Sequence, residues 1–488
     1  MSLATWAAIL YRGKLTKRNR FIKKKEVITF KKQEQRKNKP VNEEEAKMDT
    51  KRRITSHHLL KVTIALLILG FALYTGFGMA IAQPKEVKIG VIYPLSGPVA
   101  HAGNMSKDAV SLCVDYVNNK WPTLPIPIGN WEGIPSLNGA KIKLIFGDHR
   151  GEPDRGADLA KKFILDEKVA GICGCYHSSV TKTVSTVCER SKIPMINPES
   201  TSPVLTKRGY KWFFRATPHD RIFVRDFFEF LELLTQGKVP GVRAVPKSEI
   251  DEIGACTENT EWGAGTRDVI KEFAKKYGYK IVSDVTYPHE SPDLTAEVRR
   301  LLAPKPETLM FASYISDAIL LTKIMKEFKA KANLFWSQDV GFYQPKYMET
   351  FGSATEGILN RTVFSKKLFA VKPVAKHINV EFKKRAGVDF MGTSARAFTG
   401  MQAWAYVLNK AGSTDPEAIR KAAETIEIPG KDLIVPWKGI KFENVGGETN
   451  QNTWSSGLIV QYQAQLPEII YPLDVATAKF IYPWPGLK

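Results

Sequence analysis

The sequence predicts an α/β protein of two Rossmann-like lobes, each built on a central parallel sheet covered by helices. Three observations predict it. A chain of 488 residues exceeds what one hydrophobic core usually organises. From Val87 onward, short β-branched runs alternate with longer helical patterns, the signature of strands joined by helical crossovers. The same βα order then recurs after Asp220.

The first set of elements runs in order. Val87 to Tyr93 reads as a strand, Ser106 to Asn118 as a helix and Lys141 to Phe146 as a strand. Asp154 to Asp166 reads as a helix, Val169 to Cys173 as a strand, Val180 to Arg190 as a helix, and Met195 to Asn197 as a strand reaching Pro198. The second set has helix Ile222 to Leu234, strand Glu252 to Cys256, helix Gly265 to Tyr277 and strand Lys280 to Val285. It continues with helix Leu294 to Leu302, strand Thr308 to Phe311 and helix Asp317 to Lys329. Helices Ala395 to Ala411 and Pro416 to Thr425 are placed to return to the first lobe, and Lys438 to Glu443 and Gly457 to Gln463 read as late strands. The stretch Trp121 to Trp131 is too proline-rich for a helix and too apolar for a linker, so it reads as a loop packed on the lobe surface or on a partner.

The formal charge of +21 is unevenly placed, because 18 of 71 Lys+Arg but only 6 of 50 Asp+Glu precede Gln83, leaving +9 for the rest. That remainder lacks the dense basic stripe that tracks a phosphate backbone, so no nucleic-acid partner is expected. Residues 1–47 form a Lys-rich extension without hydrophobic periodicity, either cytoplasmic or an upstream mis-start with Met48 as the true first residue. Lys51, Arg52 and Arg53, the uncharged run Val62 to Gly78 and then Ala80-Ile81-Ala82 follow the order of a secretory signal. Residues 48–82 are therefore expected to be a signal peptide cleaved after Ala82, with a periplasmic or other extracytoplasmic mature chain. An uncleaved anchor is the rival, since about 20 residues span a bilayer and this run has 17.

Five cysteines leave at least one unpaired in an exported chain. Cys173 and Cys175 read as small buried side chains of a strand, and no His/Cys cluster nearby completes a zinc set, so no metal is expected. Neither a nucleophile elbow, a P-loop, a dinucleotide glycine fingerprint nor H-E-x-x-H occurs in a fitting place, which argues against an enzyme and against a cofactor.

Six stretches in order, Lys88 to Pro98, Asn138-Gly139, His177 to Thr181, Pro198 to Thr206, Phe214 to Thr217 and Glu261 to Gly265, together resemble the leucine/isoleucine/valine-binding protein family of type I periplasmic binding proteins. Lys88 to Pro98 looks like that family's first strand and turn, and Asn138-Gly139 like its turn before the second strand. His177 to Thr181 looks like its serine-rich helix start, while Pro198 to Thr206 and Phe214 to Thr217 look like the next two segments. Glu261 to Gly265 looks like its Tyr-Gly-x-Gly turn. The resemblance, covering roughly Glu86 to Gln463, implies lobes joined by a three-segment hinge: 83–219 plus 364–455, and 220–363 plus 456–488 with the C-terminal tail.

It also implies the function: a non-enzymatic solute-binding subunit of an ABC importer, working with membrane permease subunits and closing on an amino acid or related small carboxylate or amide. A ligand sensor without a transport role is the alternative. Ser178, Ser200 and Thr201 are implied as carboxylate ligands, with Ser179 in the same helix start, where unpaired backbone N–H groups favour anions. On the opposite lobe the resemblance implies Trp262 and Tyr314 as aromatic contacts and Asp339 as the acceptor of a ligand ammonium. Ala102 stands where the family has a tyrosine, which opens space beside His101. Glu199 replaces a small residue and is expected to face solvent, and Gly151 replaces a disulfide partner, so that bridge is not expected.

Overall fold

The computed structural model describes residues 85–338 and 341–487, with Glu44, Met48 and Lys51 described singly as exposed helical positions. The signal-sequence expectation for 48–82 thus falls almost wholly outside the described residues, as does Asp339. Among the described residues no helix is long and apolar enough to cross a membrane.

The first lobe begins with β1 (Glu86–Tyr93), α1 (Ala100–Asn118), β2 (Lys141–Asp148), α2 (Pro153–Lys162), β3 (Gly171–Gly174), α3 (Ser178–Ser191), β4 (Met195–Asn197) and β5 (Phe213–Arg215). The chain then crosses to the second lobe, which holds α4 (Asp220–Thr235), β6 (Glu252–Glu258), α5 (Glu261–Tyr277), β7 (Lys280–Tyr287), α6 (Thr295–Leu302) and β8 (Thr308–Ala312). It continues there through α7 (Ile315–Glu327), β9 (Leu334–Ser337), α8 (Pro345–Phe351) and β10 (Leu359–Thr362). After Thr362 come α9 (Pro373–Ala386), α10 (Gly392–Ala411), α11 (Pro416–Glu424), the short pair β11 (Ile428–Pro429) and β12 (Gly439–Ile440), and then β13 (Phe442–Val445) and β14 (Glu448–Asn452). A last crossing leads to β15 (Leu458–Gln463) and β16 (Leu466–Tyr471).

The two main sheets share one plan. The first has strand order β13-β14-β5-β4-β3-β1-β2 and the second β16-β15-β10-β9-β8-β6-β7. In each, five parallel strands are extended by a late hairpin, which joins through β14 parallel to β5 in the first sheet and through β15 antiparallel to β10 in the second. The predicted two-lobed α/β class is therefore observed. Buried parallel strands read as near-continuous apolar runs, and β8 (Thr-Leu-Met-Phe-Ala) is buried at every position.

Local differences from the sequence reading have physical causes. Helix α1 starts at Ala100 rather than Ser106 and carries Gly103 in its first turn, where a Cβ would sit 2.0 Å from the Pro94 carbonyl oxygen. Likewise α10 lies so close to the first sheet that a Cβ on Gly171 would meet the Trp404 ring at 2.0 Å. The Trp121 loop folds back on its own lobe: the Trp121 ring packs edge-on against Tyr116 at 5.1 Å, and Trp131 lies 5.5 Å from Tyr406. At the far end, Trp484 is buried against Phe335 and donates its backbone N–H to Asn333 at 2.8 Å. The five cysteines are buried free thiols.

Candidate functional site

Parallel α/β sheets gather ligand-facing loops at the carboxyl ends of their strands, and here both lobes turn such loops toward one cavity. From the first lobe, Tyr176 and Ser178 follow β3, and Glu199 and Thr201 follow β4. From the second, Trp262 follows β6, Tyr314 follows β8, and Arg361 stands at the end of β10. Arg396, the fifth residue of α10, completes the wall. The enclosed space is about 10 Å³, room for about one water. A second cavity of about 90 Å³ shares the Tyr176 wall and is lined by Val99, Ala102 and Ile315, with His101, Gln344 and Lys346 at its polar side.

Four residues expected from the sequence, Ser178, Thr201, Trp262 and Tyr314, meet on the first cavity, and Ala102 lines the second. Ser178 begins α3, and its hydroxyl accepts the Ser202 backbone N–H at 3.3 Å. Ser200 is buried but turned inward: its hydroxyl lies 2.6 Å from the Thr181 hydroxyl and donates to the Cys175 carbonyl at 2.9 Å, away from the cavity wall. Ser179 is half-buried on the first turn of α3 and does not line the cavity.

Glu199 corrects the expectation that it faces solvent. It is 4% exposed and forms part of the cavity wall, because β4 ends one residue before Pro198 and the turn directs it inward beside Tyr93. Burial, and then the Glu199 charge, push the Tyr93 phenol well above its ordinary range. Arg361 and Arg396, 1% and 2% exposed, were not singled out in the sequence. Arg361 stacks on Phe223 with its guanidinium 4.1 Å from the ring centroid and lies 3.6 Å from the Asp220 carboxylate. Asp220 in turn accepts from the Gln338 amide at 2.7 Å and donates its backbone N–H to Thr201 at 2.9 Å. A crossing residue thus ties a cavity residue of one lobe to one of the other.

An aromatic and imidazole cluster closes the rim. Tyr176 and His177 of the first lobe face Tyr314 of the second at 6.3 and 5.0 Å between ring centroids, and His289 lies 4.7 Å beyond Tyr314. Burial, reinforced by His149 and His289, holds the His177 imidazole well below its ordinary pKa, and burial pushes His149 down to about 4. His289 goes the other way: burial opposes its charge, but its 2.6 Å bond to the Asp317 carboxylate prevails. Outside the rim, Glu261 at the start of α5 receives Lys182 at 2.7 Å and the Ser202 hydroxyl at 3.2 Å, both from the first lobe. The lobes are therefore shut on one another, with hydroxyls, one carboxylate, two guanidiniums and three aromatic rings around the enclosed space.

Comparison with known proteins agrees with this fold. A family model described as periplasmic binding protein matches residues 86–456. A curated relative, Leu/Ile/Val-binding protein homolog 7 from Brucella suis biovar 1, is 23% identical over 431 residues, covering 87% of this chain and 99% of the relative. Among solved structures, the leucine-binding protein LivK of Thermotoga maritima superposes with a TM-score of 0.64 at 20% identity, over 80% of this chain and 99% of that one. An ABC transporter solute-binding protein of Rhodopseudomonas palustris BisB5, solved with 3,4-dihydroxybenzoic acid, gives 0.63 at 17% identity over 82% and 99%. At these identities the structural likeness is one of fold.

Proposed function

Because the chain belongs to the periplasmic binding protein family, we propose that it is the extracytoplasmic solute-binding subunit of an ABC importer, exported by residues 48–82 and closing on a small solute that carries a carboxylate or amide. The observation that carries the reading is the enclosed space walled by Ser178 and Thr201 from one lobe and Trp262, Tyr314 and Arg361 from the other. Groups held on separate lobes meet only when the hinge shuts, so a ligand bridging them stabilises the shut form by its differential affinity for it. The shut form is then the one that permease subunits distinguish from the empty, open one. The names of relatives support the class of ligand: one is called a leucine-binding protein, and another was solved with a hydroxylated benzoic acid.

Native mass spectrometry of the purified protein, followed by small-angle scattering with and without the identified solute, tests the reading. A co-purifying small molecule whose rebinding lowers the radius of gyration supports it. A protein that carries no solute, and whose scattering is unchanged by amino acids, aromatic acids and amides, overturns it.

A further inference from the structure

At the pole of the second lobe away from the cleft, the chain leaves an open groove of about 730 Å³, inside the range of about 300–1,000 Å³ that small-molecule sites occupy. It lies where two strands begin: Pro306 and Glu307 lead into β8, and Ala330 to Asn333 lead into β9. Tyr314 of the cleft follows the other end of β8, so five residues of strand, about 17 Å, separate the two places. One wall is the tail Pro483 to Gly486, which lies beyond residue 456, where the family match ends. The floor uses its polar groups internally. Pro306, Pro483 and Pro485 have no backbone N–H. Trp484 donates its own to the Asn333 carbonyl at 2.8 Å, while the Asn333 backbone and side-chain N–H groups go to the Glu307 and Glu249 carbonyls at 2.7 and 2.6 Å. The Glu307 carboxylate accepts the Glu252 backbone N–H at 3.2 Å. What remains is an apolar surface that includes Leu302 and the 39% exposed Phe328. Its rim carries Lys305, Lys329 and Lys331, all exposed, whose ammonium groups have no hydrogen bond or ion pair among the described residues.

An ammonium group only donates, and three of them around an apolar floor call for a partner that joins negative charge to an apolar body. The flat surface of a bilayer does not fill a concave groove. An extended peptide that pairs through its main chain needs a free sheet edge, whereas β8 and β9 lie inside their sheet. We propose that the groove is a second ligand site, separate from the cleft, which takes a small organic anion with an aliphatic or aromatic body from solution. Lys305, Lys329 and Lys331 hold the anionic group, and Phe328 and the proline wall cover the body. The proposal goes beyond the solute-binding reading and does not depend on what the cleft takes.

Octanoate, octylamine and acetate, each titrated into the purified protein in a calorimeter, separate the two halves of the ligand: the amine lacks the negative charge and acetate lacks the body. Octanoate is expected to bind at least tenfold more tightly than either. An exposed ion pair contributes little singly, so the three lysines are reversed together. Lys305→Glu/Lys329→Glu/Lys331→Glu is expected to weaken octanoate binding at least tenfold at an unchanged melting temperature, whereas Thr201→Ala in the cleft is expected to leave it within about twofold. An unchanged octanoate affinity in the triple variant, equal binding of octanoate and octylamine, or no octanoate binding at all overturns the proposal. So does a tenfold loss in Thr201→Ala, which would put octanoate in the cleft. Should the triple variant fail to fold, Phe328→Ser at its exposed position serves instead: a loss of at least threefold is expected, and an unchanged affinity overturns the site. Flotation with phosphatidylglycerol vesicles covers the remaining source of such an anion, and lysine-dependent vesicle binding without octanoate binding would replace the soluble ligand by a lipid surface and overturn the proposal. The solute-binding reading is judged separately, by whether native mass spectrometry finds a solute.

Discussion

Thr201 is the residue whose contribution is easiest to isolate. It lines the cavity while its carbonyl holds the Asp220 backbone N–H, so Thr201→Ala removes a hydroxyl and leaves that backbone bond in place. Loss of a hydrogen bond to a charged ligand costs about 1–3 kcal/mol, and calorimetry is expected to show affinity weakened by roughly five- to 150-fold. His177 gives a pH dependence. Its imidazole is held neutral by burial between Tyr176, Tyr314, His149 and the charged neighbourhood of His289 and Asp317, and opening returns it toward the ordinary value of about 6.5. The shut form thus has its full stability above about pH 6.5 and loses it as the pH falls below that value, because protonation then favours the open form. Solute affinity is expected to drop between pH 7.5 and 5 in calorimetric titrations, and His177→Asn is expected to flatten the profile. Ser178, Thr201, Trp262 and Tyr314 were expected only through the family resemblance of the segments that follow β3, β4, β6 and β8, and the structure sets all four on one cavity wall. Glu199, Arg361 and Arg396 were not foreseen there, since charged side chains are ordinarily at the surface and nothing local announces that these three are buried.

At the scale of elements, the contact of α5 with α3 and with the turn after β4 adds one measurable increment to closure of the lobes. Glu261 alone receives both Lys182 and Ser202 across the gap, and with Lys182 half exposed its ion pair is worth at most about 1 kcal/mol. Glu261→Gln is therefore expected to weaken solute binding about fivefold or less, and to reduce the sensitivity of affinity to salt, both readable by titration at two ionic strengths. The same scale explains which elements could be read in advance. Strands β1, β3 and β8 are apolar runs bounded by turns and were found. Strand β10, Leu-Asn-Arg-Thr, is buried at every position yet polar in composition, so periodicity concealed it, and Arg361 with it. Its Asn360 is paired with Ser337 of the neighbouring strand, a partnership visible only once the register is known. Helix α10 was found, but Arg396 near its start looked like any solvated residue until the packing of that helix against the first sheet was known.

At the scale of the whole molecule, the repeat of strand order between the sheets was legible because the βα alternation restarts after Asp220. The closing hairpins β13–β14 and β15–β16 were only half legible, since each depends on a return of the chain that no local pattern encodes. The shut cleft carries one more consequence. An enclosed volume of about 10 Å³ admits no metabolite, so capture has to wait for the hinge to swing. Intrinsic fluorescence from Trp262 in a stopped-flow instrument is expected to report an observed rate that climbs with solute concentration and then levels off at the rate of that swing. A rate that stays linear to high concentration would mean that the doorway stands open most of the time.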